Sequence, residues 1–107
     1  MGVDIRVNDI GTQYLITILN QDNSVVNIAN ANPKQIVFED PNGVVLTKNG
    51  TLYTDGTDGK LYYISVSGDF KVKGWWELQG YVVISGSAWR SSIEKFKINR
   101  NLSSVYI

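Results

Sequence analysis

Asp55 and Asp58, in the stretch DGTDG, stand close enough to share a cation. Hard cations such as calcium take carboxylate and carbonyl oxygens, so a calcium loop is one reading. The glutamate that closes an EF-hand loop is missing, and a solvated turn between two strands accounts for the same residues. Glu39, Asp40 and Glu77 have the residue type for the paired carboxylates of glycoside hydrolysis. Spacing in the sequence does not show whether they converge, and ordinary surface carboxylates account for all three. The sequence has neither histidine nor cysteine. That excludes a Ser-His-Asp triad, a cysteine nucleophile, histidine acid–base work and a thiolate or imidazole zinc site. No catalytic, cofactor-binding or metal-ligating residue is assigned, and no cofactor is expected.

Binding chemistry has better candidates. Trp75 and Tyr81 share one side of an alternating stretch with Val83. Trp89 follows a short turn, so a returning strand is expected to bring it near them. A cluster of exposed aromatics marks a binding surface. It serves either as protein–protein hot spots or as a stacking platform for sugars. The third reading is that loops of the same domain cover these rings. Leu102, Val105, Tyr106 and Ile107 make the last residues unusually apolar. Such a tail folds back, frays, or adds as a strand to a neighbouring subunit.

These side chains need strands to hold them. Residues 74–85 read GWWELQGYVVIS. Trp76, Leu78, Gly80, Val82 and Ile84 alternate with Trp75, Glu77, Gln79, Tyr81 and Val83, which is the period of a strand with one face on a core. Tyr14, Ile16 and Ile18 predict a core face opposite Leu15 and Leu19. Val25, Val26 and Ile28 predict a short strand. Ile36 and Phe38 predict the inward face of another, ending in the turn Asp40-Pro41-Asn42-Gly43. Asn49-Gly50 predicts a two-residue hairpin between residues 44–47 and 51–53. In residues 61–67 the unbroken apolar period favours Tyr62, Ile64 and Val66 as inward over Leu61 and Tyr63. Phe70 plugs the core, Ser85-Gly86-Ser87 is a turn, and Phe96 and Ile98 face inward from a last strand.

No segment reads as a helix of ten or more residues. Short strands separated by Gly, Asn and Asp turns predict an antiparallel all-β sandwich or barrel. The 107 residues suit one domain. Its parts are an arm at 1–9 able to add as an edge strand through Val3, Ile5 and Val7, a core at 10–99, and a tail at 100–107. Ten basic and ten acidic residues cancel, which favours neither nucleic acid nor a membrane surface and eases association. The first residues hold no long apolar run, so no secretory segment or membrane span is expected. Asn49-Gly50-Thr51 and Asn101-Leu102-Ser103 match the glycosylation pattern by chance on that expectation.

The order of features is itself informative. It runs through residues 14–18, then Gln21-Asp22-Asn23, Val25-Val26-Asn27-Ile28, and residues 36–38 with Pro41-Asn42-Gly43. It continues through residues 62–66 with Gly68-Asp69-Phe70, and Gly74-Trp75-Trp76 with Leu78. This order resembles the immunoglobulin-like N-terminal domain of phage baseplate upper proteins, over about residues 11–98. The resemblance implies an immunoglobulin-like antiparallel β-sandwich in a non-enzymatic structural virion protein, in the baseplate, tail or fibre attachment of a tailed phage. Its partners would be other virion proteins and copies of itself, in a particle assembled after synthesis in the host cytoplasm. That domain normally precedes a helical or receptor-binding extension, so a chain ending here is expected to be a stand-alone virion protein or an adaptor. The alternatives are a carbohydrate-binding or host-adhesion module, taking a host-surface glycan through the aromatics, and a capsid-decorating protein.

Overall fold

A computed structural model describes residues 5–100. The strands are β1 (Ile5–Arg6), β2 (Gln13–Thr17), β3 (Lys34–Glu39), β4 (Val45–Asn49), β5 (Thr51–Leu52), β6 (Lys60–Ile64), β7 (Gly74–Ile84), β8 (Ser87–Arg90) and β9 (Glu94–Asn99). One sheet has the order β1-β9-β7-β3-β4, and the other β2-β6-β5. The long strand β7 takes β9 along its first half and β8 along its second. With β2, β6 and β5 as strands B, E and D, and β3, β7, β9 and β4 as C, F, G and C′, this is an immunoglobulin-like β-sandwich. Every pairing between strands is antiparallel except β1 with β9, which is parallel. Ile5 and Arg6 thus form an edge strand, with Ile5 opposite Ile98.

The alternation in β7 sends Trp76, Leu78 and Val82 into the space between the sheets, where all three are buried. Gly80 lies on the same face. A Cβ there would stand 3.0 Å from both Ile16 Cγ2 and Ile18 Cδ1, so the missing side chain is the room those two isoleucines occupy. Trp76 completes its burial by donating its indole N–H to the carbonyl of Val72 at 2.8 Å. In the same cluster Phe38 meets Tyr14 and Phe70, with centroids 5.2 and 5.0 Å away, both edge-on. Edge-on contacts set the positive rim of one ring against the negative face of the next. Phe70 is 2% exposed and is the plug expected of it.

Three expectations give way. The first is the inward face of β6. Leu61 is buried and Tyr63 packs on the core, whereas Ile64 and Val66 are exposed. The register explains the inversion. Tyr14 opposes Tyr63 and Ile16 opposes Leu61, and directly opposed residues share a face. Once β2 commits Tyr14 and Ile16 to the core, β6 has no choice. Second, Asn49-Gly50 is a crossing, not a hairpin. Asn49 pairs with Gln35 in one sheet and Thr51 with Tyr62 in the other. Between them the N–H of Gly50 donates to the carbonyl of Lys34, and the chain passes so close to Leu61 that a Cβ would fall 2.6 Å from its Cδ1. Third, Val25, Val26 and Ile28 make no strand. Val25 forms one bridge to Leu19, and Val26 and Ile28 are buried as plugs. Their apolar spacing reflects burial without a ladder.

An ion pair ties β4 to the loop between β6 and β7. Lys48 of β4 reaches Asp69 at 3.0 Å. Asp69 also accepts the hydroxyl of Tyr63 on β6 and, at 2.9 Å, the N–H of Val66. Burial drives its carboxyl toward the neutral form, but these three donors outweigh it and hold the group below the usual carboxylate value. The hydroxyl of Tyr14, by contrast, is buried without a hydrogen-bond partner among the described residues. Burial, followed by the nearby charges of Asp9 and Asp69, keeps it protonated far above the ordinary tyrosine range. An unpaired buried hydroxyl costs stability. Tyr14→Phe is therefore expected to raise the unfolding free energy by about 1 kcal/mol in urea titrations. A loss of that size would mean the hydroxyl has a partner.

Candidate interaction surfaces

The carboxylates are occupied with local structure. Asp55 accepts the N–H and hydroxyl of Thr57, and Asp58 accepts the N–H of Lys60 and the hydroxyl of Thr54. The hydroxyl of Thr57 is the main cause of the lowered pKa of Asp55. Asp40 is likewise used by its own turn, accepting from the N–H groups of Asn42 and Val44. Glu39 and Glu77 do meet, as directly opposed residues of β3 and β7, on the outer face of the larger sheet. Lys95 stands across from Glu77 on the other side. Among the described residues no three His, Cys, Asp or Glu side chains are grouped to hold a metal.

The aromatic candidates separate. Trp75 is 61% exposed on the outer face of β7, with the ammonium of Lys97 6.0 Å from its ring centre. A shallow depression beside it is lined by Glu39, Pro41, Glu77 and Lys95. Tyr81 shares that face but lies six residues along, about 20 Å away at the rise of a strand. It is half-buried, with the guanidinium of Arg90 4.7 Å from its ring centre. Trp89 does not join them. In the β7–β8 hairpin it opposes Val82, a core residue, so it takes the inner face and packs against the core. Its indole N–H donates to the side chain of Asn20 at 3.2 Å. The expectation that a return strand would gather all three fails on the parity of the hairpin. Its two loop residues, Ser85 and Gly86, both have positive φ, which makes a type I′ turn and puts Trp89 opposite an even-numbered residue. Leu102, Val105, Tyr106 and Ile107 lie outside the described residues.

Another apolar surface is one that residue patterns misplaced. Leu15, Tyr62 and Ile64 point out from the three-stranded sheet. Tyr53 closes edge-on against Tyr62 at 6.2 Å. Ile10 and Val66, at one end of this sheet, are 67% and 52% exposed. Lys60 is the one cation in the β2–β6 ladder, where it opposes Thr17. The signal was present in the sequence, since β6 is apolar on both faces. What it signified depended on which face the partner strand buried.

No curated protein and no solved structure matches the chain. The family model for the BppU N-terminal domain does match, over residues 1–103. An immunoglobulin-like sandwich carrying uncommitted apolar and aromatic surface fits that match over nearly the full length. The chain belongs to the BppU N-terminal domain family, the N-terminal domain of phage baseplate upper proteins.

Proposed function

We propose that this domain acts in the phage baseplate by packing, as a non-enzymatic component that binds neighbouring virion proteins and copies of itself. The observation that carries the reading is the exposed apolar face of the three-stranded sheet, formed by Leu15, Tyr62, Ile64, Val66 and Tyr53. Burying such a face releases about 25 cal/mol per Å² of apolar area, which favours assembly over exposure. The test uses purified particles of the phage that encodes the chain. A gold-labelled antibody is expected at the tail tip. Label on the capsid, or a particle without the chain, overturns the reading.

A second reading rests on Trp75, whose exposed ring could stack on a host-surface sugar. Tryptophan fluorescence decides between them. Glycan titration is expected to leave the emission unchanged, and Trp75→Ala to alter stability by less than about 0.5 kcal/mol, as for an exposed residue. A saturable response lost in Trp75→Ala would make the domain an adhesion module. The apolar composition of residues 101–107 supports a role for the tail as an assembly strand. Deleting it is expected to weaken partner binding or lower the oligomeric state. If both stay unchanged, the tail has no such role.

A further inference from the structure

β2 has a second edge. The bonds from the N–H of Ile18 to Gly59 at 2.8 Å, and from the N–H of Ser65 to Thr12 at 2.9 Å, set the phase of its ladder with β6. Antiparallel bonding repeats at every second residue, so Tyr14 and Ile16 turn their N–H and C=O groups toward β6. Gln13, Leu15 and Thr17 turn theirs the other way. Among the described residues no strand receives them, because β2 ends its sheet. In the immunoglobulin plan the position beside strand B belongs to the first strand. Here the first strand, β1, pairs with β9 in the opposite sheet.

The open edge borders a groove of about 620 Å³. Its near wall is Leu15, Thr17 and Leu19, and its far wall Arg90, Ser92 and Glu94, where the chain crosses from β8 to β9. The far wall is pinned to β7 by Ser91. Its hydroxyl accepts the N–H of Gly80 at 2.7 Å, and its N–H donates to the Gly80 carbonyl at 3.0 Å. Sandwich proteins protect such edges with lysine, proline or a bulge. The strand Gln13–Thr17, QYLIT, has no charge and no proline.

Resting on the assembly reading above, we propose that the free edge of β2 accepts an extended strand from a neighbouring baseplate protein. Donors and acceptors that alternate with the two-residue period of a strand match a peptide backbone in extended form. The side chains of the incoming strand follow from the walls. Those turned outward lie beside Leu15 and next to Tyr62, and are apolar. Those turned inward enter the groove between Ile16 and Ser92, with Arg90 and Glu94 beside them, and polar side chains are accommodated there.

Amide hydrogen exchange, measured on the isolated chain and on baseplates purified from the phage, tests this. The amides of Gln13, Leu15 and Thr17 are expected to exchange freely in the isolated chain and at least about a hundredfold more slowly in the baseplate, as for hydrogen-bonded strand amides. Leu15→Pro deletes a donor on the open side and spares the β2–β6 bonds. It is expected to fold and to enter baseplates at least about tenfold less well, because proline is tolerated on an edge but blocks pairing there. If that variant does not fold, Thr17→Lys serves the same purpose. Protection of the three amides already in the isolated chain would mean its own residues fill the edge, and overturns the proposal. Fast exchange at these amides in a baseplate that protects another face overturns it too and leaves the assembly reading intact. Absence of the chain from the baseplate overturns both.

Discussion

Phe38→Ala is expected to destabilise the domain by about 4 kcal/mol, the cost of removing a buried phenylalanine and leaving a cavity. Phe38 has no exposure and makes ring contacts with Tyr14, Tyr63, Phe70 and Phe96. Those rings come from β2, β6, β9 and the loop before β7, so collapse around the gap would have to move both sheets. A domain of this size has a total stability of about 5–15 kcal/mol, and the variant would be left close to unfolding. Urea titration reads the effect as a lower midpoint with an unchanged slope. A loss under about 1 kcal/mol would mean that the cluster relaxes and is not the centre of the core.

Asp69→Ala comes next, with an expected loss of about 2 kcal/mol, because it removes one part-buried carboxylate that serves three donors. The carboxylate side chain is 5% exposed and its partner Lys48 26%. Removal leaves Lys48, the Tyr63 hydroxyl and the Val66 N–H without their shared acceptor. The pH dependence carries a definite sign. The folded-state pKa of Asp69 is lowered. Its stabilisation is therefore present above the unfolded value of about 3.9 and is lost as pH falls through the lower folded value. The stability gap between the native sequence and Asp69→Ala should be at full size above about pH 4 and close as pH falls from there through the lower folded value. A gap that persists undiminished into acid would assign the effect to packing instead of charge.

The strands themselves were legible because their signal is local. Alternation in β7 placed Trp76 inside and Trp75 outside, and the spacing of Ile36 and Phe38 placed both in the core. The absent chemistry was legible too, since a sequence without histidine or cysteine cannot build those sites. Errors gathered where the sequence offers two faces of similar polarity. β6 is apolar on both, and nothing within it distinguishes Tyr62 and Ile64 from Leu61 and Tyr63. Trp89 was misplaced by a parity that only the hairpin register with Val82 reveals.

Composition and periodicity by themselves determined that this chain forms an all-β sandwich or barrel with Trp76, Ile36, Phe38, Phe70, Phe96 and Ile98 inside, and the order of its motifs pointed to the baseplate family and its sandwich. Tertiary structure decided which apolar residues remain for partners. Pairing of Tyr14 with Tyr63 turned Ile64 and Val66 outward, the crossing at Gly50 sent β5 to the second sheet, and pairing of β1 with β9 left β2 at the end of its sheet among the described residues. The physical reason is common to all three. A strand's period fixes which residues share a face, but only its neighbours determine which face is buried.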